Sequence, residues 1–430
     1  MPEPATRRML LGSVLPVAVV LAATGPVATV AVLRQVGAEA SQVAWLGVIA
    51  YLSIAAAVPV TIITGHLAHR QVSIFSIGIC RSLGIPLIIA GMLMAGQTGL
   101  ALALAGLAVL NSVGIFIGGH GSAWLLDAAP GPSGAAVLAW RNALIVAGGA
   151  VGGIAVGWLA DRFGADHGTW LWPVVLGLGL AGAMTELAML AKVGDGQRGG
   201  AGPRAQWSEL RHCLVDARLW SGIRRDLPTS GPLALIAPLA VWFLSDLLGS
   251  IALAGLVTAI STLTGLVLMW LGSAWFARHD RDRVLAGALA LAAAANLALA
   301  LPWTWMGLRA LPAAAAAALV SLLLSGSALL GPAQIRNQWA SLDPDHASMS
   351  AALWATITGA SALVVAILAA VALPWATQLA IGVQGFGLTW HGYGPLLLTA
   401  ALIQGAAAAV IWRRRQPPGL AAAHPESVER

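Results

Sequence analysis

The chain has 430 residues, of which 58% are hydrophobic and 9% charged, and its mean hydropathy is +0.83. So little charge cannot cover a water-facing surface, which excludes an ordinary soluble domain. The formal charge of +6 would point to nucleic acid in a soluble protein, but here the arginines border apolar runs instead of forming a patch, so no nucleic-acid partner is expected.

A bilayer crossing takes ~20 apolar residues per helix. Taken in chain order, runs bounded by charge, Gly/Pro or polar clusters predict membrane helices over 9–33, 43–64, 73–95, 99–125, 137–160 and 169–191. Arg7-Arg8 ahead of Met9 resembles a secretory or twin-arginine signal, yet the run that follows is longer than a signal's apolar region and reads as a first membrane helix. A charged, glycine-rich stretch over 192–227 reads as a linker. Within it, Trp207–Trp220 sets Leu210, Leu214 and Val215 near one face and Arg211 and Arg218 on another, the pattern of an amphipathic helix on the inner leaflet. Six more helices are predicted over 228–245, 250–275, 284–303, 308–335, 349–373 and 393–412.

The expectation is an all-α integral membrane protein of about 12 transmembrane helices. It divides into an N-terminal six-helix bundle (1–191), the linker (192–227), a C-terminal six-helix bundle (228–414) and a tail (415–430). Arg7, Arg8, Arg70, the linker, Arg278, Arg281, Arg283 and Arg413–Arg415 fall in alternate loops, while the loops between them hold only Arg34, Arg162 and Arg309. The positive-inside rule then places both termini and the linker in the cytoplasm.

The halves repeat in parallel. Leu33-Arg-Gln-Val-Gly-Ala, a helix and Gly65-His-Leu-Ala-His-Arg70 answer to Leu244-Ser-Asp-Leu-Leu-Gly-Ser, a helix and Gly272 to Arg283. Trp124-Leu-Leu-Asp127 leading to Trp140 answers to Trp339-Ala-Ser-Leu-Asp343 leading to Trp354. On these features the chain resembles the major facilitator superfamily over nearly its whole length. The run from Trp124 to Arg141-Asn142 is similar to a pattern common in bacterial members.

The family's signature loop after the second helix has the form G-x-L-A-D-R-x-G-R-R. Here Gly65-His66-Leu67-Ala68-His69-Arg70 keeps the Gly, Leu, Ala and Arg, but His69 replaces the Asp and the trailing basic pair is missing. The second half keeps Gly272 with Arg278, Asp280, Arg281, Asp282 and Arg283 but not the spacing. The resemblance implies an inner gate built from Gly65, His69, Arg70, Gly272, Arg278, Asp280 and Arg281. A closer copy, Gly157-Trp-Leu-Ala-Asp161-Arg162-Phe-Gly164, falls on the outer side and is read as a helix exit with a polar stop.

Charge at membrane depth costs at least ~2.5 kcal/mol, so each such residue is a functional candidate. Arg81 lies ~15 Å inside the third helix and Glu186 ~9 Å from the inner end of the sixth; either they pair to support the bundle or they serve coupling. The resemblance makes helices one, four, seven and ten the cavity lining. These offer Thr24, Thr29 and Gly25-Pro26, then Asn111, Ser112 and His120, then Trp242 and Ser245 with Asp246 at the outer end, then Ser321, Ser325, Ser327, Gln334, Arg336 and Asn337. The substrate-binding candidates are Asn111, His120, Gln334, Arg336 and Asn337. Arg336 reads either as an anion contact or as a snorkelling or gate arginine. No buried carboxylate is found on these helices, which favours a neutral, amphipathic or singly anionic solute, and His120 is the titratable candidate if protons are the coupling ion.

Cys80 and Cys213 lack disulfide or metal-ligand spacing. Gly177-Leu-Gly179-Leu-Ala-Gly182 matches a dinucleotide fingerprint, but inside a membrane helix it reads as packing, as do Gly149, Gly153 and Gly157. There is no phosphate-binding loop to drive transport by ATP, and no His/Asp/Glu constellation recurs on neighbouring helix ends with catalytic spacing, so neither a cofactor nor an enzyme is expected. Of 18 tryptophans, Trp45, Trp170, Trp172, Trp303, Trp305, Trp390 and Trp412 read as an interfacial belt, and Trp124, Trp140, Trp339 and Trp354 as a frame for the inner gate. The functional expectation is a secondary active transporter of a small organic solute, a monomer among membrane lipids. A lipid or lysolipid transporter of the same fold and a membrane-embedded lipid-modifying enzyme are the alternatives.

Overall fold

The computed structural model describes residues 4–94, 96–112, 120–121, 124–125, 128–129, 131–194, 203–327, 329–339, 341–342, 346–384 and 392–413. Among these residues every regular element is helical. The crossings are α1 (Thr6–Gln35), α2 (Ala40–Ala55 with Ala57–Thr64), α3 (His69–Leu93), α4 (Gly96–Ser112), α5 (Trp140–Gly164) and α6 (Gly168–Leu190), followed by α7 (Ala217–Leu248), α8 (Ile251–Arg278), α9 (Arg281–Ala300), α10 (Ala313–Ser327), α11 (Met349–Ile381) and α12 (Gly394–Arg413). Among the described residues, nine are long and apolar enough to cross alone, α2 crosses as a pair bent by 46°, and α4 and α10 are shorter apolar helices. The chain is a multi-pass membrane protein.

Several boundaries differ from those expected, among them the end of the eleventh crossing, which runs to Ile381 and not 373. α7 begins at Ala217 and not near 228, so the end of the stretch read as linker is membrane helix. The tenth crossing is preceded by a separate helix, Pro302–Ala310, and continues past α10 as Leu330–Trp339. Pro302 and Pro312 account for the breaks, since each lacks the N–H that a continuing helix would need. The fourth helix is followed to Ser112, and its further course to 125 lies largely outside the described residues, as does the tail from 414.

The linker helix, Pro203–Val215, buries Leu210 and Cys213 against Leu353 and Trp354 of α11, while Leu214 and Val215 are exposed. Its apolar face is therefore narrower than the expected Leu210–Leu214–Val215 stripe, and it packs on protein. Asp216 ends this helix and caps the next, accepting the Arg218 N–H at 2.8 Å.

In lipid, helices associate through close packing and shared hydrogen bonds. The α5 glycines meet α1 as small residues should: a Cβ on Gly148 would lie 2.6 Å from Ala18 Cβ, and one on Gly152 2.4 Å from Ala22 Cβ. Gly179, in the fingerprint-like run, faces Ala23 in the same way, so that run is a packing surface. Between the halves, the bend after Ala55 leaves the Val58 N–H at the start of a new helical segment without an intrahelical partner. Thr356 Oγ1 of α11 accepts it at 2.9 Å. At the same crossing Gly359 lets α11 touch α2, since a Cβ there would stand 2.7 Å from Ala55 N.

Trp172 and Trp305 are each 1% exposed, which corrects their assignment to an interfacial belt. Trp305 donates to the Leu299 carbonyl at 2.6 Å and packs edge-on to Phe243 with centroids 4.9 Å apart. Trp45, Trp170 and Trp412 are exposed, as a belt requires. Within the second half, Asn296 of α9 donates to Gln404 Oε1 of α12 at 2.8 Å, buried from water. Asn296→Ala leaves Gln404 short of a partner and should cost about 1 kcal/mol, read as a fall of a few degrees in the melting temperature of solubilised protein; an unchanged melting temperature would show this bond to be energetically idle.

Candidate functional site

The site begins with local helix chemistry in α7. Pro228 and Pro232 lie inside the helix and remove two intrahelical donors. The Thr229 hydroxyl turns back on the same turn, 2.6 Å from the Asp226 carbonyl and 2.7 Å from its Oδ1. Asp226 itself is 6% exposed, ~14 Å along α7 from its linker-side end. Gln334 Nε2 donates to Asp226 Oδ1 at 3.0 Å and also contacts Thr229 Oγ1, and Trp354 Nε1 of α11 donates to Asp226 Oδ2 at 3.0 Å. Three helical segments thus converge on one carboxylate. No basic side chain stands within ion-pair distance of it among the described residues. A buried carboxylate without a cation is costly unless donors surround it, and these three donors do so.

This cluster forms one wall of a cavity of about 450 Å³. The wall continues through Ser230 of α7, Gln338, and Thr358 of α11, and Tyr51 and Ile54 of α2 close it from the first half. The cavity therefore lies on the seam between the halves. A smaller cavity of about 200 Å³ lies between α1, α5 and α8, lined almost wholly by apolar and small residues around Gly25-Pro26, with Thr258 and Thr262 as its polar groups.

The absence of a buried carboxylate from the site, expected from sequence, is corrected by Asp226. In the sequence Asp226 stands at the end of the charged 192–227 stretch, directly behind Arg224 and Arg225, where it reads as part of the linker. Arg225 does face outward from the cavity, pairing with Asp282 at 2.7 Å. The signal available was the run Asp226-x-Pro-Thr-Ser-x-Pro, polar and breaker residues at helical spacing ahead of an apolar stretch. Trp354, read as a gate frame, lines the cavity.

The other candidates separate by location. Gln334 lines the cavity. Asn337 is fully buried and donates to the Gly222 carbonyl at 2.9 Å, tying the Leu330–Trp339 helix to α7. Asn111 is exposed and donates to the Leu107 carbonyl of its own helix at 3.0 Å. His120 is 1% exposed and lies away from the cavity: Nε2 is 2.8 Å from Thr64 Oγ1, and Nδ1 is 2.7 Å from Nδ1 of His69, the residue that replaces the signature Asp. The side chain of Arg336 lies outside the described residues.

Of the gate candidates, a Cβ on Gly65 would stand 2.7 Å from Gln206 of the linker helix, and Arg70 bonds the Ala191 carbonyl. Asp280 caps α9, Arg281 donates to Ser341 Oγ at 3.2 Å, and Arg278 is exposed at the end of α8. Gly272 lies in α8, with its surroundings outside the described residues. Arg81 and Glu186 meet as an ion pair within the first half. On the face opposite the linker, Arg34 of α1 pairs with Asp246 of α7, donates to Ser245 Oγ at 2.7 Å and lies 4.8 Å from the centre of the Trp242 ring.

Two six-helix halves in parallel, joined by a linker and with a cavity on their seam, have the arrangement of the major facilitator fold. By sequence, no family model and no curated protein matches the chain. By structure it is similar to the nucleoside transporter NupG (TM-score 0.64, 11% identity, 96% of this chain and 100% of that one). It is also similar to the xylose transporter XylE from E. coli in a partially occluded inward open conformation (0.64, 12%, 96% and 98%). A third likeness is to a bacterial homologue of the human lysosomal transporter Spinster, inward-facing and unoccupied (0.63, 16%, 97% and 100%). At these identities the likeness establishes the fold.

Proposed function

We propose that the chain is a secondary active transporter that carries a small neutral polar solute through the seam cavity by alternating access, with protons coupled through Asp226. The observation that carries this reading is the cavity of about 450 Å³, where hydroxyl, amide and indole groups and a single carboxylate stand among apolar residues such as Leu233 and Ala362, with Tyr51 and Ile54 reaching it from the first half. Tyr51, Ser230, Gln338 and Thr358 suit a solute rich in hydroxyl or amide groups, and a lone carboxylate held by neutral donors is a natural place for a proton to bind and leave. The sugar and nucleoside transporters among the fold neighbours support it by analogy.

In this reading the first half, 1–191, and the second, from Ala217 to Arg413, rock about the seam, and the linker, both termini and the tail face the cytoplasm of a bacterial inner membrane. The protein acts as a monomer, without a cofactor and without enzymatic activity, and His120 serves the gate instead of the solute.

The test is thermal stability of purified protein against neutral polyhydroxylated solutes, nucleosides, anions, cations and lysolipids. A ligand at a hundred times its dissociation constant stabilises the native state by about 2.7 kcal/mol. Neutral polar solutes should raise the melting temperature, and Thr358→Leu, which fills the cavity and removes a hydroxyl, should abolish the shift. Stabilisation by lysolipids alone would replace this reading with a lipid transporter.

A further inference from the structure

The second and fifth helices end in one pattern at opposite faces of the bundle: Gly65-His-Leu-Ala-His69-Arg70 beside the linker, and Gly157-Trp-Leu-Ala-Asp161-Arg162 on the other side. The contacts of His69 with His120 and of Arg70 with Ala191 stay within the first half. The second copy crosses the seam. Asp161 Oδ1 accepts the Ile251 N–H at 2.9 Å, and Oδ2 accepts the Ala252 N–H at 3.0 Å and the Ser250 hydroxyl at 2.5 Å. Those amides belong to the first turn of α8, where N–H groups have no intrahelical partner and the helix dipole favours negative charge. Gly157 makes the contact possible: a Cβ there would stand 2.9 Å from both Ala252 Cα and Ile251 O, backbone atoms that cannot swing aside.

We propose that Asp161 is the latch that holds the face opposite the linker closed, capping a helix of the other half, and that Gly157 is the hinge plate on which the two helices meet. The Arg34–Asp246 pair lies on the same face and closes it between α1 and α7. The sequence pattern that the family places at the inner gate thus lacks its Asp there, whereas the copy at the outer face keeps the Asp and the second glycine, Gly164, though not the trailing basic pair. Opening this face separates α5 from α8 and exchanges charge-assisted bonds for water. The inference rests on the rocking of two halves and is independent of which solute is carried.

Spin labels at Thr169→Cys and Ala310→Cys, exposed positions at this face on the first and second halves, report the opening by electron–electron distance measurement in nanodiscs, with Cys80→Ser and Cys213→Ser removing the native thiols. The parent should show one dominant short distance. Asp161→Asn, which keeps the shape and removes the charge, and Gly157→Val, which separates the helices sterically, should each raise a longer-distance population about tenfold. If one variant fails to yield monodisperse protein, the other decides alone, and parent-like distances in the folded variants would overturn the latch. Since no solute is needed, absence of flux would count against the proposed transport and leave the latch standing, whereas unchanged distances in a protein that carries solute would count against the latch alone.

Discussion

Asp226→Asn should abolish solute accumulation driven by a pH gradient while leaving exchange of solute across the membrane in place. Asparagine keeps the size of the side chain and one acceptor for Gln334 or Trp354, so the cavity wall survives, but it cannot gain or lose a proton in the working pH range. One pH unit is worth ~1.4 kcal/mol, so with one proton per solute a gradient of one unit sustains about tenfold accumulation in the parent. The variant should settle near equal concentrations on both sides. Reconstituted vesicles with an imposed gradient and a solute identified by thermal shift give the measurement, and a variant that still accumulates solute tenfold would remove Asp226 from coupling. Loss of exchange as well as accumulation would assign Asp226 to solute binding and not to coupling.

Arg81→Ala should have the largest effect on folded yield. Arg81 of α3 and Glu186 of α6 are 12% and 4% exposed and form an ion pair between helices of the first half. Removing one partner of a buried pair leaves a desolvated charge, at a cost of about 3–5 kcal/mol, comparable with the stability of a whole domain. Replacing both by apolar residues of similar volume removes both desolvation penalties together. Arg81→Met with Glu186→Leu should therefore recover much of the monodisperse protein that Arg81→Ala loses. Equal yields from the parent, Arg81→Ala and Glu186→Ala, measured by fluorescence-detected size exclusion, would show the pair to be dispensable.

Most of the helix order was legible because a membrane demands long apolar runs with charge at their ends, a strong signal at the level of composition. The parallel repeat was legible for the same reason, through Arg70 and the 278–283 cluster at matching exits. Asp226 was not legible from its position behind Arg224 and Arg225, since a charge near a helix end reads as solvated until its tertiary donors, here Gln334 and Trp354, are known. His69 and His120 were each noticed singly. Their meeting depends on where tertiary packing sets His120 against the start of α3, which no local pattern encodes. By sequence the outer copy of the signature reads as a helix exit with a polar stop, because it lies on the face opposite the family's loop. What gives it meaning is the α8 N-terminus across the seam, a contact of residues about ninety positions apart. Trp172 and Trp305 show the limit of the belt rule, for a tryptophan near a helix end can equally turn inward, as Trp305 does onto Phe243.

The central claim, that one cavity on the seam is reached alternately from the two sides of the membrane, is tested most directly by side-specific labelling at Ser230→Cys, a cavity-lining position, with Cys80→Ser and Cys213→Ser in the background. Impermeant maleimides applied separately to right-side-out and inside-out vesicles should both react at this site, with reaction from the face opposite the linker the slower of the two and accelerated by Asp161→Asn. Reaction from one side only, in both the parent and Asp161→Asn, would mean that the cavity is a one-sided pocket and would contradict transport by alternating access.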